Sequence, residues 1–326
     1  MDDKLLKVSV VGLGKLGYPL AACIAAKRHR VIGVDLDPVT VDLVNSRRSP
    51  VHEPGVKELL RGSGEGIRAI RDPRDAVFDS DITLIVVPTP SVDDGTFSNQ
   101  YVLKACEAIA HGMADKSTYH LVALVSTVMP GSTGGEIQRK LEQVSGKSCG
   151  EGFGLCYVPS FVALGSVVRD FLRPDYLLIG ESDARSGDLL ECLYKSICEN
   201  DPPVARMNLV NAELTKLATN AFVSTKITFG NMLAQVCERL IGAHVDVVTS
   251  ALGLDSRIGE KYLKGGLGYG GPCLVRDSVA LSALGSSIGA RAQLAEATDQ
   301  ANRKEVDRLV TLIKSKRTQD GTVGIL

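Results

Sequence analysis

Lys7-Val8-Ser9-Val10-Val11-Gly12-Leu13-Gly14-Lys15-Leu16-Gly17 is the stretch that decides the fold. A β-branched run ends in a glycine-rich turn, and the turn opens into an apolar helical stretch from Leu16 to Arg28. A second apolar run, His29 to Asp35, follows at once. Strand, turn, helix and strand in this order read as a βαβ unit.

Glycines at 12, 14 and 17 sit at the strand-to-helix junction, where they permit a tight turn, a close approach to a pyrophosphate and close helix packing. The helix N-terminus then faces the phosphates. Such a triplet alone is a weak signal; a strand before it, a helix after it and an acid ending the next strand make it specific. Gly12, Leu13, Gly14, Leu16 and Gly17 are therefore expected to hold a dinucleotide. Asp35 is expected to accept from the adenosine ribose hydroxyls and to repel a 2′-phosphate, which favours NAD over NADP.

Outward from this unit, further apolar runs at Ile82–Pro88, His120–Thr127, Phe153–Pro159 and Tyr176–Gly180 alternate with helix-length segments such as Tyr101–Met113 and Gly134–Val144. The alternation predicts an α/β fold with a doubly wound parallel sheet continuing to about Gly180 and closing with a helix over Leu189–Cys198. Past Asp201-Pro202-Pro203 the pattern turns helical. Asn211–Ile241 keeps a helical period unusually long for a globular helix, with apolar faces that suit a spine or a dimer interface. A glycine-rich loop, a further helix and a basic helix follow, and the closing Thr318–Leu326 reads as the start of a new strand. The expected domains are 1–202, 203–300 and 301–326.

At 326 residues the chain can bury two cores. Thirty-seven Lys and Arg against 38 Asp and Glu leave no basic excess for nucleic acid or an anionic membrane. No apolar run is long enough to span a bilayer and the start lacks a signal-peptide pattern, so a cytoplasmic protein is expected. The eight cysteines include no CxxC pair and no clustering with His, which predicts reduced thiols and no metal site.

A second constellation is Gly265-Gly266-Leu267-Gly268-Tyr269-Gly270-Gly271-Pro272-Cys273-Leu274-Val275-Arg276-Asp277. Glycines let a backbone crowd a ligand, and Pro272 suits a first helical position, which puts Cys273 at a helix N-terminus. That location, with Arg276 nearby, is expected to favour the thiolate, with Asp277 on the same helical face. A cysteine chosen at random is usually a buried filler; the glycine-rich approach reverses that expectation. A third set is Glu213, Lys216 and Asn220, whose spacing brings Lys216 and Asn220 onto one helix face where they could hold an oxyanion. Alone, such a pair would more often be a solvated surface.

These three constellations, in this order, resemble the UDP-glucose/GDP-mannose dehydrogenase family across essentially the whole chain. His52-Glu53-Pro54-Gly55, Pro88-Thr89-Pro90-Ser91, Ser126-Thr127-Val128 and Arg257-Ile258-Gly259 add to the likeness. The resemblance implies a twofold NAD-dependent oxidation of the C6 hydroxyl of a nucleotide-linked hexose, through a thiohemiacetal and a thioester. It implies Cys273 as nucleophile, Lys216 and Asn220 on the oxyanion, and Asp277 with Thr127 positioning or activating water. Pro88, Thr89, Ser126, Thr127 and Arg276 would join the cofactor site. Ser160, Phe161, Tyr262, Lys264, Tyr269 and Gly270 would line the sugar site, and Arg257 would reach a neighbouring subunit's substrate in a homodimer built on the long central helix.

Two departures stand out. Val158-Pro159-Ser160-Phe161 replaces the family's Asn-Pro-Glu-Phe, removing a carboxylate linked chiefly to thioester hydrolysis, and Leu164 stands where many members carry a second glutamate. Family members also continue into a third, nucleotide-gripping domain, whose first strand is expected at the end of this chain. A catalytically impaired NAD-binding homologue and a two-electron hydroxyacid-type dehydrogenase are the alternatives these departures raise.

Overall fold

Alternation within β1 (Lys7–Val11) sends Val8 and Val10 into one core and Val11 into another, on the opposite face of a single sheet. Full burial of each valine contributes about 1.5–3 kcal/mol. The computed structural model describes residues 5–62, 66–317 and 321–324. They form two compact units, Met1–Pro90 with Phe97–Leu214, and Ser91–Thr96 with Thr215–Leu326.

The first unit runs β1, α1 (Gly17–Ala26), β2 (Arg30–Val34), α2 (Pro38–Asn45), α3 (Val56–Gly62), β3 (Ile67–Ile70), α4 (Pro73–Phe78) and β4 (Ile82–Ile85). It continues through α5 (Gln100–Ala114), β5 (His120–Leu124), α6 (Gln138–Ser145), β6 (Phe153–Tyr157), α7 (Val167–Leu172), β7 (Leu177–Glu181), α8 (Ala184–Ile197) and β8 (Val204–Asn208). A five-residue wide turn of helix, Thr133–Ile137, leads into α6. Aspartates start several helices: Asp37 accepts from the amides of Val39 and Thr40 ahead of α2, and Asp183 from that of Ser186 in α8.

The sheet order is β3-β2-β1-β4-β5-β6-β7-β8. The winding reverses between β1 and β4, which leaves a crevice at the carboxyl ends of these strands, where doubly wound sheets bind their ligands. One core packs α1, α3, α7 and α8 on one face, and the other packs α4, α5 and α6 on the opposite face.

Two features depart from the sequence reading. β7 is antiparallel to β6, pairing at Cys156 with Glu181 and Tyr157 with Gly180, where a parallel strand was expected. The sheet also has two strands the apolar runs do not announce: β3, a four-residue edge strand broken by Arg68, and β8, half-exposed at the other edge. β8 carries the sheet past the expected break after residue 202, and the chain passes from the first unit to the second between Leu214 and Thr215, inside α9.

The second unit holds most of α9 (Leu209–Cys237), α10 (Val245–Gly253), α11 (Leu274–Ser287) and α12 (Gln293–Lys316). α9 has 29 residues and a length of about 44 Å. α12 starts before residue 301 and packs along α11, so the expected boundary there falls within a helix. Gly321–Gly324 forms no strand, and the rest of the C-terminal strand expected from sequence lies outside the described residues.

Candidate active site

In the first unit the crevice is built from the ends of β1, β2, β4 and β5. Gly12 adopts φ +96°, and a Cβ there would stand 2.3 Å from the Val86 carbonyl oxygen. A Cβ at Gly17 would lie 1.8 Å from the Gly12 carbonyl, so close packing demands glycine at both positions. Gly14 differs: an added Cβ meets nothing within 4 Å. The loop leaves open space at the position expected to face a pyrophosphate. α1 begins with no capping side chain and no acid in its first turn, so its positive end is free for an anion.

Leu13 is buried under Gly33, and its amide donates to Asp35 Oδ2 at 2.8 Å. Asp35 Oδ1 accepts from the Asp37 amide at 3.0 Å. A carboxylate offers about four acceptor positions, which leaves room for a ribose diol. Leu16 packs against the core beside α1. These residues fit a dinucleotide.

The strand ends on the other side of the switch point are tied together. Ser126 Oγ accepts from the Val87 amide at 2.9 Å and donates to the Val87 carbonyl at 2.6 Å. Thr89 Oγ1 donates to the Thr127 carbonyl at 2.6 Å. Thr127 is half-buried and Pro88 is exposed. Ser160 follows β6 and is half-buried, while Phe161 packs against Tyr176 with ring centroids 5.1 Å apart and joins the core, more a wall than a free contact. Glu53 accepts from the amides of Gly165 and Val167, fixing the loop that carries these residues.

Glu213 also belongs to this unit and does not join Lys216 and Asn220. It is fully buried and accepts from the amides of Gly131 at 2.6 Å and Thr133 at 2.7 Å. Burial pushes its carboxyl up, against the pull of those hydrogen bonds.

The second unit gathers the remaining chemistry at the start of α11. Cys273 is the N-cap residue and is exposed. Its carbonyl accepts from the Asp277 amide at 2.9 Å. Asp277 is 1% exposed, accepts from Asn220 Nδ2 at 2.6 Å and pairs with Arg276 Nε at 3.3 Å. Lys216, one turn before Asn220 on α9, is 7% exposed, and burial lowers the pKa of its ammonium while Asp277 and Cys273 oppose the shift. A buried cation, an amide donor, a carboxylate and an exposed thiol at a helix start are thus brought together. The set can attack a carbonyl, bind the resulting oxyanion and return a proton.

The expected sugar-site residues divide. Tyr262 and Lys264 line a cleft of about 600 Å³ with Asn231, Glu260 and Lys261, which the sequence reading did not single out. Tyr262 has φ 64°, a conformation that costs a non-glycine residue on the order of 1–3 kcal/mol. Gly270 is exposed. Tyr269 departs from expectation: at 9% exposure it is turned into the unit, and its backbone is clasped by Asn302. A tyrosine flanked by glycines gives no sequence signal of which way it faces. Arg257 is exposed and ion-paired with its neighbour Asp255 at 2.6 Å. No group of three or more metal-ligating side chains occurs among the described residues, and none of the described helices is long and apolar enough to cross a membrane.

Comparison with known proteins identifies the family of the chain. Residues 6–198 match the NAD binding domain of the UDP-glucose/GDP-mannose dehydrogenase family, and residues 210–304 match that family's central domain. The UDP-glucose 6-dehydrogenase AglM of Haloferax volcanii is 35% identical over 97% of this chain and 74% of its own length. A UDP-glucose dehydrogenase structure from Pyrobaculum islandicum superposes with a TM-score of 0.90 at 34% identity, over 97% of this chain and 72% of that one. The ternary complex of GDP-mannose dehydrogenase from Pseudomonas aeruginosa superposes at 0.74 and 31% identity, over 96% and 72%. The chain therefore belongs to the UDP-glucose/GDP-mannose dehydrogenase family and carries that family's NAD-binding and central domains.

Proposed function

We propose that the protein oxidises the C6 hydroxyl of a nucleotide-linked hexose to the carboxylate, with Cys273 as the covalent nucleophile. The single observation that carries this reading is the Asn220–Asp277 hydrogen bond, set beside buried Lys216 and the Cys273 helix start. The similarity to a UDP-glucose 6-dehydrogenase supports a UDP-hexose first, and the similarity to GDP-mannose dehydrogenases supports a GDP-hexose second.

Bound NAD supplies the hydride acceptor for each of two oxidations. Gly12, Leu13, Gly14, Leu16 and Gly17 would hold its pyrophosphate, Asp35 would accept from its adenosine ribose, and Pro88, Thr89, Ser126 and Thr127 would form the far wall. In the first oxidation the alcohol gives up a hydride and a proton to become an aldehyde. The Cys273 sulfur then bonds to the carbonyl carbon, and its proton ends on the oxygen, which Lys216 and Asn220 stabilise. Loss of a second hydride and proton leaves a thioester. Water, positioned by Asp277, adds to the thioester carbonyl, breaks the C–S bond and restores the thiol.

Ser160 stands where a carboxylate would serve the hydrolysis. Loss of a general base costs about 10²- to 10⁴-fold in rate, so thioester hydrolysis is the slow step of this chain. Tyr262, Lys264 and Gly270 frame the sugar side in the second unit.

The exposed apolar side chains of α9, among them Phe222, Phe229, Met232 and Val236, support a homodimer through this helix, with Arg257 offered to the partner's substrate. NADH formation with a panel of UDP- and GDP-hexoses, in the wild type and in Cys273→Ala, tests the reading. Undiminished oxidation by the variant would refute it.

A further inference from the structure

The loop that delivers Cys273 is unusually free to move by composition, since Gly265, Gly266, Gly268, Gly270 and Gly271 fall within seven residues of the chain. Glycine gives up more conformational freedom on ordering than any other residue, so such a loop holds one shape only when it is fastened from outside. Two buried asparagines fasten it. On α9, Asn231 accepts from the Gly266 amide at 2.9 Å and donates to the Leu267 carbonyl at 3.0 Å. On α12, Asn302 accepts from the Tyr269 amide at 2.8 Å and donates to the Tyr269 carbonyl at 2.9 Å. Asn231 is 2% exposed and Asn302 9%.

Each carboxamide uses its oxygen and its nitrogen on the loop backbone, as a neighbouring strand would. The fit around them is close. A Cβ at Gly268 would stand 2.8 Å from Asn302 Oδ1, and one at Gly230 would stand 2.6 Å from the Lys264 carbonyl. Asn231 also lies eleven residues after Asn220, about three turns along α9, so the two share a helix face. One rigid element thus carries both the oxyanion donor and the anchor of the loop bearing the nucleophile.

We infer that Asn231 and Asn302 are positioning residues that set Cys273 against Lys216 and Asn220. The inference rests on the reading of Cys273 as nucleophile. Misplacement of a reacting group by about 1 Å costs on the order of 100-fold in rate, so Asn231→Ala or Asn302→Ala is expected to lower kcat about 10- to 100-fold. The KM for NAD should stay within about twofold, because no cofactor contact is assigned to either residue.

The experiment measures kcat and the NAD KM with UDP-glucose and GDP-mannose for both variants, alone and combined with Cys273→Ser, alongside thermal melts. The expected result is a kcat loss confined to enzymes that retain Cys273, with no further loss of residual NADH formation in the Cys273→Ser background. Equal losses in both backgrounds, or wild-type kcat in both asparagine variants, would overturn the inference. If an alanine variant fails to fold, Asn231→Asp and Asn302→Asp, which keep the acceptor and lose the donor, are subjected to the same comparison and decide by the same outcomes. Full activity of Cys273→Ser alone would instead remove the nucleophile reading itself.

Discussion

Asn220 on α9 donates to Asp277 on α11 at 2.6 Å, and through this bond the oxyanion face of one helix is joined to the helix that begins at Cys273. The bond orients the amide and leaves the Asp277 carboxylate satisfied although only 1% exposed. Replacing Asn220 by Ala removes one developing-charge donor and frees a buried carboxylate. Loss of such a donor typically costs about 10²- to 10³-fold in kcat. Steady-state kinetics should show that loss in kcat with a smaller change in the substrate KM; a pure KM effect would contradict the assignment.

Lys216 gives a pH signature. Its ammonium is buried and titrates below the ordinary lysine value of 10.5. A lowered pKa means that the charged, oxyanion-stabilising form is lost as pH rises through the lowered value. The kcat profile is expected to fall on its alkaline side below pH 10.5, and Lys216→Met should abolish that limb together with most of the activity. A limb that persists in the variant would assign it to another group.

The glycines of the cofactor loop make separable predictions. Gly14→Ala places a methyl in open space, so the melting temperature should hold while the KM for NAD rises. Gly17→Ala sets a methyl 1.8 Å from the Gly12 carbonyl, so it should lower the melting temperature itself. Reversed outcomes in thermal melts and NAD titrations would show that the loop is held differently.

A polar network inside the sheet predicts acid lability. His120 lies between Thr83 Oγ1 at 2.8 Å and Lys116 Nζ at 3.1 Å, and burial, reinforced by Lys116, pushes its pKa down to about 3. The unfolded chain takes up the proton near 6.5. Stability from neutral His120 is therefore complete above pH 6.5 and drains away as pH falls from 6.5 towards 3. Melting temperatures between pH 7.5 and pH 5 should fall more steeply in the wild type than in His120→Gln; parallel slopes would exclude His120 as the cause.

Much of the first unit is legible because a two-sided buried sheet leaves continuous apolar runs, and β1, β2, β4, β5, β6 and β7 all announce themselves. β3 and β8 do not, since edge strands that bury one side or neither carry Arg68 or Arg206 where an inner strand would carry valine. The direction of β7, antiparallel to β6, is likewise announced by no local pattern. At the site, Lys216 with Asn220 and Cys273 with Asp277 are visible as helical spacings. Asn231 and Asn302 are not, because an asparagine in a helix says nothing until a loop from elsewhere meets it. Tyr269 illustrates the converse: its neighbours suggest a ligand wall, and tertiary packing turns it inward.

The most direct measurement is the mass of the Cys273 peptide after the enzyme is mixed with NAD and UDP-glucose, or GDP-mannose, and quenched in acid. Covalent catalysis with slowed hydrolysis predicts a nucleotide-sugar acyl adduct on that peptide, accompanied by two NADH per adduct and absent from Cys273→Ala. NADH formed over many turnovers with the peptide unmodified, and equally by Cys273→Ala, would contradict it.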